Sequence, residues 1–227
     1  MLKNWLVKCN LSSPLCGAPP RIDALLEYEL ALRLGYKMAK KLTRNVPLSE
    51  IKHPPIPVSK RTIGGIDFYC SSDPILGNVF AEYTERQSKR FDTDICAALL
   101  GARSRKKLLT SSGPYKSRFV PLRIRVVDSV NWFVRGDRKE MNKLLKRIVA
   151  LGHCRSYGYG RIAGWEYSEQ PDDYSLFAPN KGGTVLMKTL PIGAVKDAHA
   201  TGYRHSFGGA FPPYWHPETF MEVGIPC

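Results

Sequence analysis

Acidic residues are scarce in this chain: 20 Asp and Glu stand against 34 Lys and Arg, for a formal net charge of +14. That imbalance points to a polyanionic partner. Long apolar runs are missing too, and no stretch approaches the length needed to span a bilayer. The opening residues MLKNWLVKCNLSS lack a sustained apolar core and a small-residue cleavage pattern, so no secretory leader is expected and a cytoplasmic location is. Metal-binding spacing is absent as well. Cys9, Cys16, Cys70, Cys96, Cys154 and Cys227 are dispersed, with neither a CxxC pair nor a Cys/His ladder. They read as reduced thiols that pack, and a metal site built from distant positions such as Cys9 and Cys16 is the weaker alternative. No cofactor or metal is expected.

What remains is a chain able to bury a core. At 227 residues, with 43% hydrophobic and 11% aromatic content, it fits one elaborated domain, and 19 glycines and 17 prolines promise many loops. Its charge is concentrated in the middle. Arg86 to Arg147 holds 17 basic residues against 5 acidic, whereas Ile162 to Cys227 holds 4 against 7. A nucleic acid is the first partner such a patch suggests; a membrane surface would also attract it.

Leu2 to Leu11 suits a first strand, broken by Pro14, Gly17, Pro19 and Pro20. IDALLEYELALRL, from Ile22 to Leu34, predicts a helix stopped at Gly35. Four prolines between Pro47 and Pro57 predict an extended connection, and strand character returns near Ile63 to Cys70. NVFAEYTERQSKRF is expected to be helical, followed by a basic stretch in which Gly113-Pro114 forces a turn. Val120 to Val127 alternates as a half-buried strand, and Val130 to Val134 continues strand-like. Asp137 and Glu140 form a capping-box-like start to a helix with Met141, Leu144, Leu145, Ile148 and Val149 at helical spacing. Arg161 to Tyr167 is the last strand, with Trp132 and Trp165 assigned to the core. This order predicts an α+β, ferredoxin-like domain over 1–168, with a long basic insertion at about 74–118 and an irregular extension over 169–227.

Between that second helix and last strand lies LGHCRSYGYG. Gly152, Gly158 and Gly160 let the backbone turn sharply, His153 sits inside the turn, Arg155 offers a planar fork for phosphate and Ser156 a hydroxyl. Tyr157 and Tyr159 offer flat faces on which bases stack. A dinucleotide fingerprint would open a helix instead of following one, and the Gly-Lys-Ser/Thr ending of a P-loop is absent. The plainer alternative is a helix C-cap at Gly152 followed by a bent strand.

These segments resemble the RAMP superfamily of CRISPR-associated RNA-binding proteins. RIDALLEYELALRLGY, TSSGPYKSR, LGHCRSYGYGRI and PPYWHPE together look like the Cas-five-type (Csf-three) subunits of type IV CRISPR effector complexes. The resemblance implies a non-catalytic cap on the guide RNA (crRNA) 5′ handle, beside Cas-seven-type backbone subunits and a large subunit, near target DNA at the end of the guide duplex, with a DinG-type helicase as a further partner. It implies RNA contacts from Arg86, Lys89, Arg90, Arg103, Arg105, Lys106, Lys107, Ser111, Ser112, Tyr115, Lys116 and Arg118 in a thumb-like insertion. From the glycine loop it adds Gly152, His153, Arg155, Ser156, Tyr157, Gly158, Tyr159 and Gly160. Cys154 departs from the common loop, where another glycine often stands.

Two rival classes remain. Some relatives cleave precursor guide RNA without metal, for which His153 would act as acid or base with Tyr157 or Lys146 assisting; His199, His205 and His216 show no fixed spacing to a nucleophile. The other rival is a pure assembly subunit whose basic middle meets acidic protein neighbours; Tyr214 and Trp215 are a candidate interface, or else part of a tail strapped over the protein's own core.

Overall fold

The strand Lys3–Leu11 turns Trp5, Val7 and Cys9 into the core and leaves Asn4, Leu6, Lys8 and Asn10 on its other face, as the period of a pleated strand requires. In the computed structural model, which describes residues 2–35, 46–51, 53–90, 92, 95, 98, 111–112 and 116–227, it is the centre of the main sheet. Ser129–Gly136 pairs on one side and Ile162–Glu169 on the other, both antiparallel. The two-residue strand Ile75–Leu76 joins the outer side of Ser129–Gly136 and completes four strands. Val7 lies opposite Trp132 and Cys9 opposite Trp165, so both tryptophans share the core face, their rings 6.0 Å apart.

Two helices contribute to the core on that face. Ile22–Arg33 buries Ile22 and Leu26 and ends in Leu34 and Gly35, close to the expected stop. Arg138–Leu145 starts where Asp137 accepts hydrogen bonds from the Lys139 and Glu140 amides at 2.9 and 3.2 Å, and it sinks Met141, Leu144 and Leu145. It is shorter than the apolar spacing predicts. Ile148 is still buried, but Val149 is 75% exposed because its carbonyl leaves the helix to accept the Ile162 amide at 3.0 Å.

The segment expected to be a helix after Ser71-Ser72-Asp73-Pro74 is instead a strand, Val79–Lys89, paired antiparallel with Arg118–Val127. Ala, Glu, Gln and Lys favour a helix weakly, and a long alternating partner strand outweighs that preference. Leu15–Cys16 pairs with the far edge of Arg118–Val127, docking this hairpin sheet on the main domain.

The expectation of an irregular extension over 169–227 is also corrected. Phe177–Asn180, Gly183–Leu186 and Ala200–Thr201 make one three-stranded sheet; Leu190–Pro191, Phe220–Pro226 and Tyr203–Gly209 make another, with a short helix at Ile192–Asp197. Leu186, Leu190, Val195, Ala200, Ala210 and Val223 form a second core, and Phe68 from the hairpin Lys60–Ile63/Ile66–Tyr69 joins it. The chain is thus mixed α+β, dominated by strands. None of the described helices is long and apolar enough to cross a membrane.

Candidate nucleic-acid interface

The glycine-rich loop stands on a short two-stranded stem. Ala150 bridges Arg161, the Leu151 amide donates to the Gly160 carbonyl at 2.8 Å, and the Ile162 amide donates to Val149. Gly160 is obligatory here: a Cβ on it would lie 1.9 Å from the Leu151 carbonyl oxygen, and its φ is +67°. Cys154, a non-glycine residue, takes a glycine-like left-handed backbone, φ 54° and ψ 32°, at the entry to the turn Arg155–Tyr157. That left-handed path carries a local cost of order 1 kcal/mol.

Much of the loop's backbone is spent on the protein itself. His153 donates to the Cys16 carbonyl at 2.9 Å, Tyr157 to Cys154, Gly158 to Arg155 and Gly160 to Pro14 at 2.7 Å. The Ser13 hydroxyl donates to the Gly158 carbonyl at 2.8 Å and accepts from the Arg161 amide. These four amides are therefore not free to hold a phosphate. What the loop presents outward is side chain. Arg155 and Ser156 are exposed, Arg155 has no ion pair among the described residues, and Tyr157 is 67% exposed.

Tyr159 does something different. Its hydroxyl donates to the Glu85 carboxylate on the hairpin, and that contact, with burial second, pushes its hydroxyl up to about 12. The tie holds the glycine loop against Val79–Lys89. Below it, the Cys16 thiol is pushed up to about 11 by burial and then by a hydrogen bond with the Cys154 thiol. The two cysteines are free thiols in contact, and among the described residues no cluster of three or more metal-ligating side chains occurs.

Along the hairpin the cations divide. Glu82 accepts from both Arg125, at 2.9 Å, and Arg123, and these bonds hold its carboxyl below the usual carboxylate range. Arg86 stacks its guanidinium 5.9 Å from the centre of the Phe119 ring and, like exposed Arg90 and Lys116, has no carboxylate partner among the described residues. Arg118 opposes Lys89 at the last paired position. Ser111 and Ser112 are exposed in a bend. Arg103, Arg105, Lys106, Lys107 and Tyr115, which carry much of the expected thumb contact, lie outside the described residues.

Sequence reading missed the aromatics of this surface. Phe80 is 69% and Phe119 64% exposed, with Tyr83 on the other face of the strand. Reading Val79–Lys89 as a helix hid the alternation that would have shown them. A cavity of 220 Å³ opens beside the loop between Pro20, Leu25, Tyr28, Leu151, His153 and Arg155. Lys146 lines a different cavity from His153. Among the other histidines, His216 is buried and structural. Its Nε2 donates to the Val46 carbonyl at 2.7 Å while Nδ1 accepts from the Glu218 amide, which sets its tautomer. His205 lies 3.6 Å from Glu222, and His199 sits in a left-handed turn. Tyr214 is committed internally, its hydroxyl donating to Asp23 at 2.5 Å, while Trp215 stays exposed.

These features define a mixed α+β protein in which the glycine-rich loop and the hairpin both present exposed cations and aromatics. A family model described as CRISPR type IV associated protein Csf3 matches residues 76–226, more than half of the chain, and the chain belongs to that family. The family implies a subunit of a type IV CRISPR complex. No curated protein matches the chain.

Proposed function

We propose that this protein is the non-catalytic RNA-binding subunit that caps the crRNA 5′ handle and helps assemble the DNA-targeting complex. The observation that carries this reading is the loop itself. Its backbone is closed by its own chain, while Arg155 and Tyr157 are exposed without a partner among the described residues. A guanidinium for phosphate beside a free ring for a base is how single strands are gripped. The cavity between Tyr28, His153 and Arg155 suits a base turned out of the strand.

The ferredoxin-like reading draws support from the sheet order. In order of appearance its strands are Lys3–Leu11, Ile75–Leu76, Ser129–Gly136 and Ile162–Glu169, and the sheet runs second, third, first, fourth, antiparallel throughout. A hairpin with Arg86 and Arg118 on its strands, and exposed Arg90 and Lys116 just beyond them, supports the thumb reading. That His153 and Lys146 line separate cavities favours a binding role over RNA cleavage. The exposed Trp215 suits a neighbouring subunit, with Tyr214 holding its segment in place. The backbone subunit, the large subunit, target DNA and a DinG-type helicase complete the set of proposed neighbours.

Ultraviolet crosslinking of the co-expressed, purified complex tests this reading. Crosslinks from Tyr157 and the hairpin to the 5′ handle are expected. Crosslinks confined to the spacer or the 3′ end, or a complex that assembles without RNA contact to this chain, would overturn it.

A further inference from the structure

We infer that the RNA path does not end at the glycine loop but continues into a second cationic groove on the open edge of the main sheet, held by Lys146 and Arg161. The inference rests on the handle-binding reading and adds a site to it. A cavity of 520 Å³ lies between the end of the Arg138–Leu145 helix and the start of the strand Ile162–Glu169, lined by Asn142, Lys146, Val149, Arg161, Gly164 and Trp165 among others. No carboxylate lines it.

Its two cations are singled out by what their neighbours do. Lys143 is taken by Glu140 at 2.6 Å and Arg147 lies 3.8 Å from Glu29, whereas Lys146 and Arg161 have no ion pair among the described residues. Arg161 is held firmly at its backbone: its amide donates to the Ser13 hydroxyl at 2.8 Å and its carbonyl accepts the Ser12 amide at 2.8 Å. A fixed backbone with an unpaired guanidinium reduces the ordering cost of gripping a phosphate.

Continuity chooses the ligand. Arg161 bridges Ala150 across the stem, so one end of the groove begins where the glycine loop begins. A single strand crossing Arg155 is led along the stem to Arg161 and Lys146. Asn142 adds an amide, and Trp165 an apolar wall. Gly164 has nothing within 4 Å of the place a Cβ would occupy, so a ligand can approach the strand closely there. The same open edge would accept a β-strand from a neighbouring protein, but two unpaired cations with no carboxylate favour a polyanion.

The test uses the full-length chain, a fluorescent single-stranded RNA carrying the repeat-derived handle, and titrations at a series of salt concentrations. Wild type is compared with Lys146→Ala/Arg161→Ala and with Arg155→Ala. Loss of two phosphate contacts should make the slope of log affinity against log salt shallower by about 1.4 and weaken binding roughly tenfold near physiological salt. Circular dichroism on both variants confirms that the fold is kept. If Arg155→Ala weakens binding while the double variant keeps the wild-type slope and affinity, the groove is overturned and the loop reading stands. If wild type itself does not bind the RNA, both are overturned. If the double variant binds RNA normally but no longer co-purifies with neighbouring subunits, the groove is a protein-docking edge and the RNA path proposed here is wrong.

Discussion

Lys188 and Asp23, separated by 165 positions in the chain, form an ion pair with Nζ 2.9 Å from Oδ2 and both side chains removed from solvent. Further polar groups gather around them. Lys188 also donates to the carbonyl and hydroxyl of Ser71 at 3.0 Å, and Asp23 accepts from the Tyr214 hydroxyl. Arg21 lies 3.0 Å from Asp73 and 4.0 Å from the centre of the Tyr214 ring. The cluster thereby fastens the first helix, the Ser71–Asp73 segment and the C-terminal sheets to one another.

Breaking that pair on one side strands a charge. Lys188→Met leaves the Asp23 carboxylate buried and is expected to lose about 3–5 kcal/mol in urea unfolding, while Lys188→Met/Asp23→Leu should recover a good part of it. Burial alone would raise the Asp23 carboxyl, but Lys188 and the Tyr214 hydroxyl outweigh it and hold it below the ordinary carboxylate range. Its contribution is therefore complete above about pH 4, the unfolded value, and is lost as the pH falls from there. Asp23→Asn should flatten the acid limb of a stability-against-pH curve; an unchanged limb would show that Asp23 does not govern it.

Within the glycine loop the three glycines are not equivalent. Gly160→Ala drives a Cβ into the Leu151 carbonyl, so it should cost well over the roughly 1 kcal/mol of a left-handed alanine and disrupt the stem. Gly158 has φ +90° but open space around it, so Gly158→Ala should cost only about that 1 kcal/mol. Equal losses in a denaturant series would contradict the packing described.

The sequence announced the elements whose signals are local. Asp137 as a cap, Gly35 as a stop and the alternation of Val120 to Val127 all rest on neighbours within a few residues, and each appears where expected. Val79–Lys89 failed because its composition is helical and only its distant partner makes it a strand. The C-terminal sheets failed for a related reason: they are pairs and bridges of short strands, one of them parallel, whose shared core includes Phe68 from far upstream. At the site, the loop that exposes Arg155 and Tyr157 was legible in its glycines, whereas the separate employment of Tyr159 required knowing that Glu85 folds back beside it.

Thiol reactivity offers a check on the loop's foundation. Burial pushes the Cys9 thiol up to about 12, and Cys16 stands at about 11, so neither forms thiolate near neutrality, while Cys227 is exposed. Among the described cysteines, alkylation at pH 8 followed by peptide mapping should label Cys227 first, leave Cys9 and Cys16 unmodified until the chain unfolds, and place Cys154 between them. Early labelling of Cys16 would mean that the contact between loop and hairpin opens readily.

Tyr157 and Tyr159 stand two residues apart and should fail in different ways. Tyr157 is exposed and its ring has no partner among the described residues, so Tyr157→Ala is expected to leave thermal stability within about 0.5 kcal/mol of wild type. Its loss should appear in handle RNA binding, by about 1–3 kcal/mol for one stacked base. Tyr159→Phe removes the hydroxyl that Glu85 holds, and its effect belongs to stability. Because that hydroxyl is raised to about 12 in the folded state against about 10 when unfolded, the tie is intact below pH 10 and is lost as pH rises toward 12. Wild type should therefore lose stability across that alkaline window more steeply than Tyr159→Phe, as unfolding midpoints measured from pH 9 to 11.5 would show. A binding defect in Tyr159→Phe as large as that of Tyr157→Ala, with no change in the alkaline limb, would assign both rings to RNA and leave the hairpin untethered.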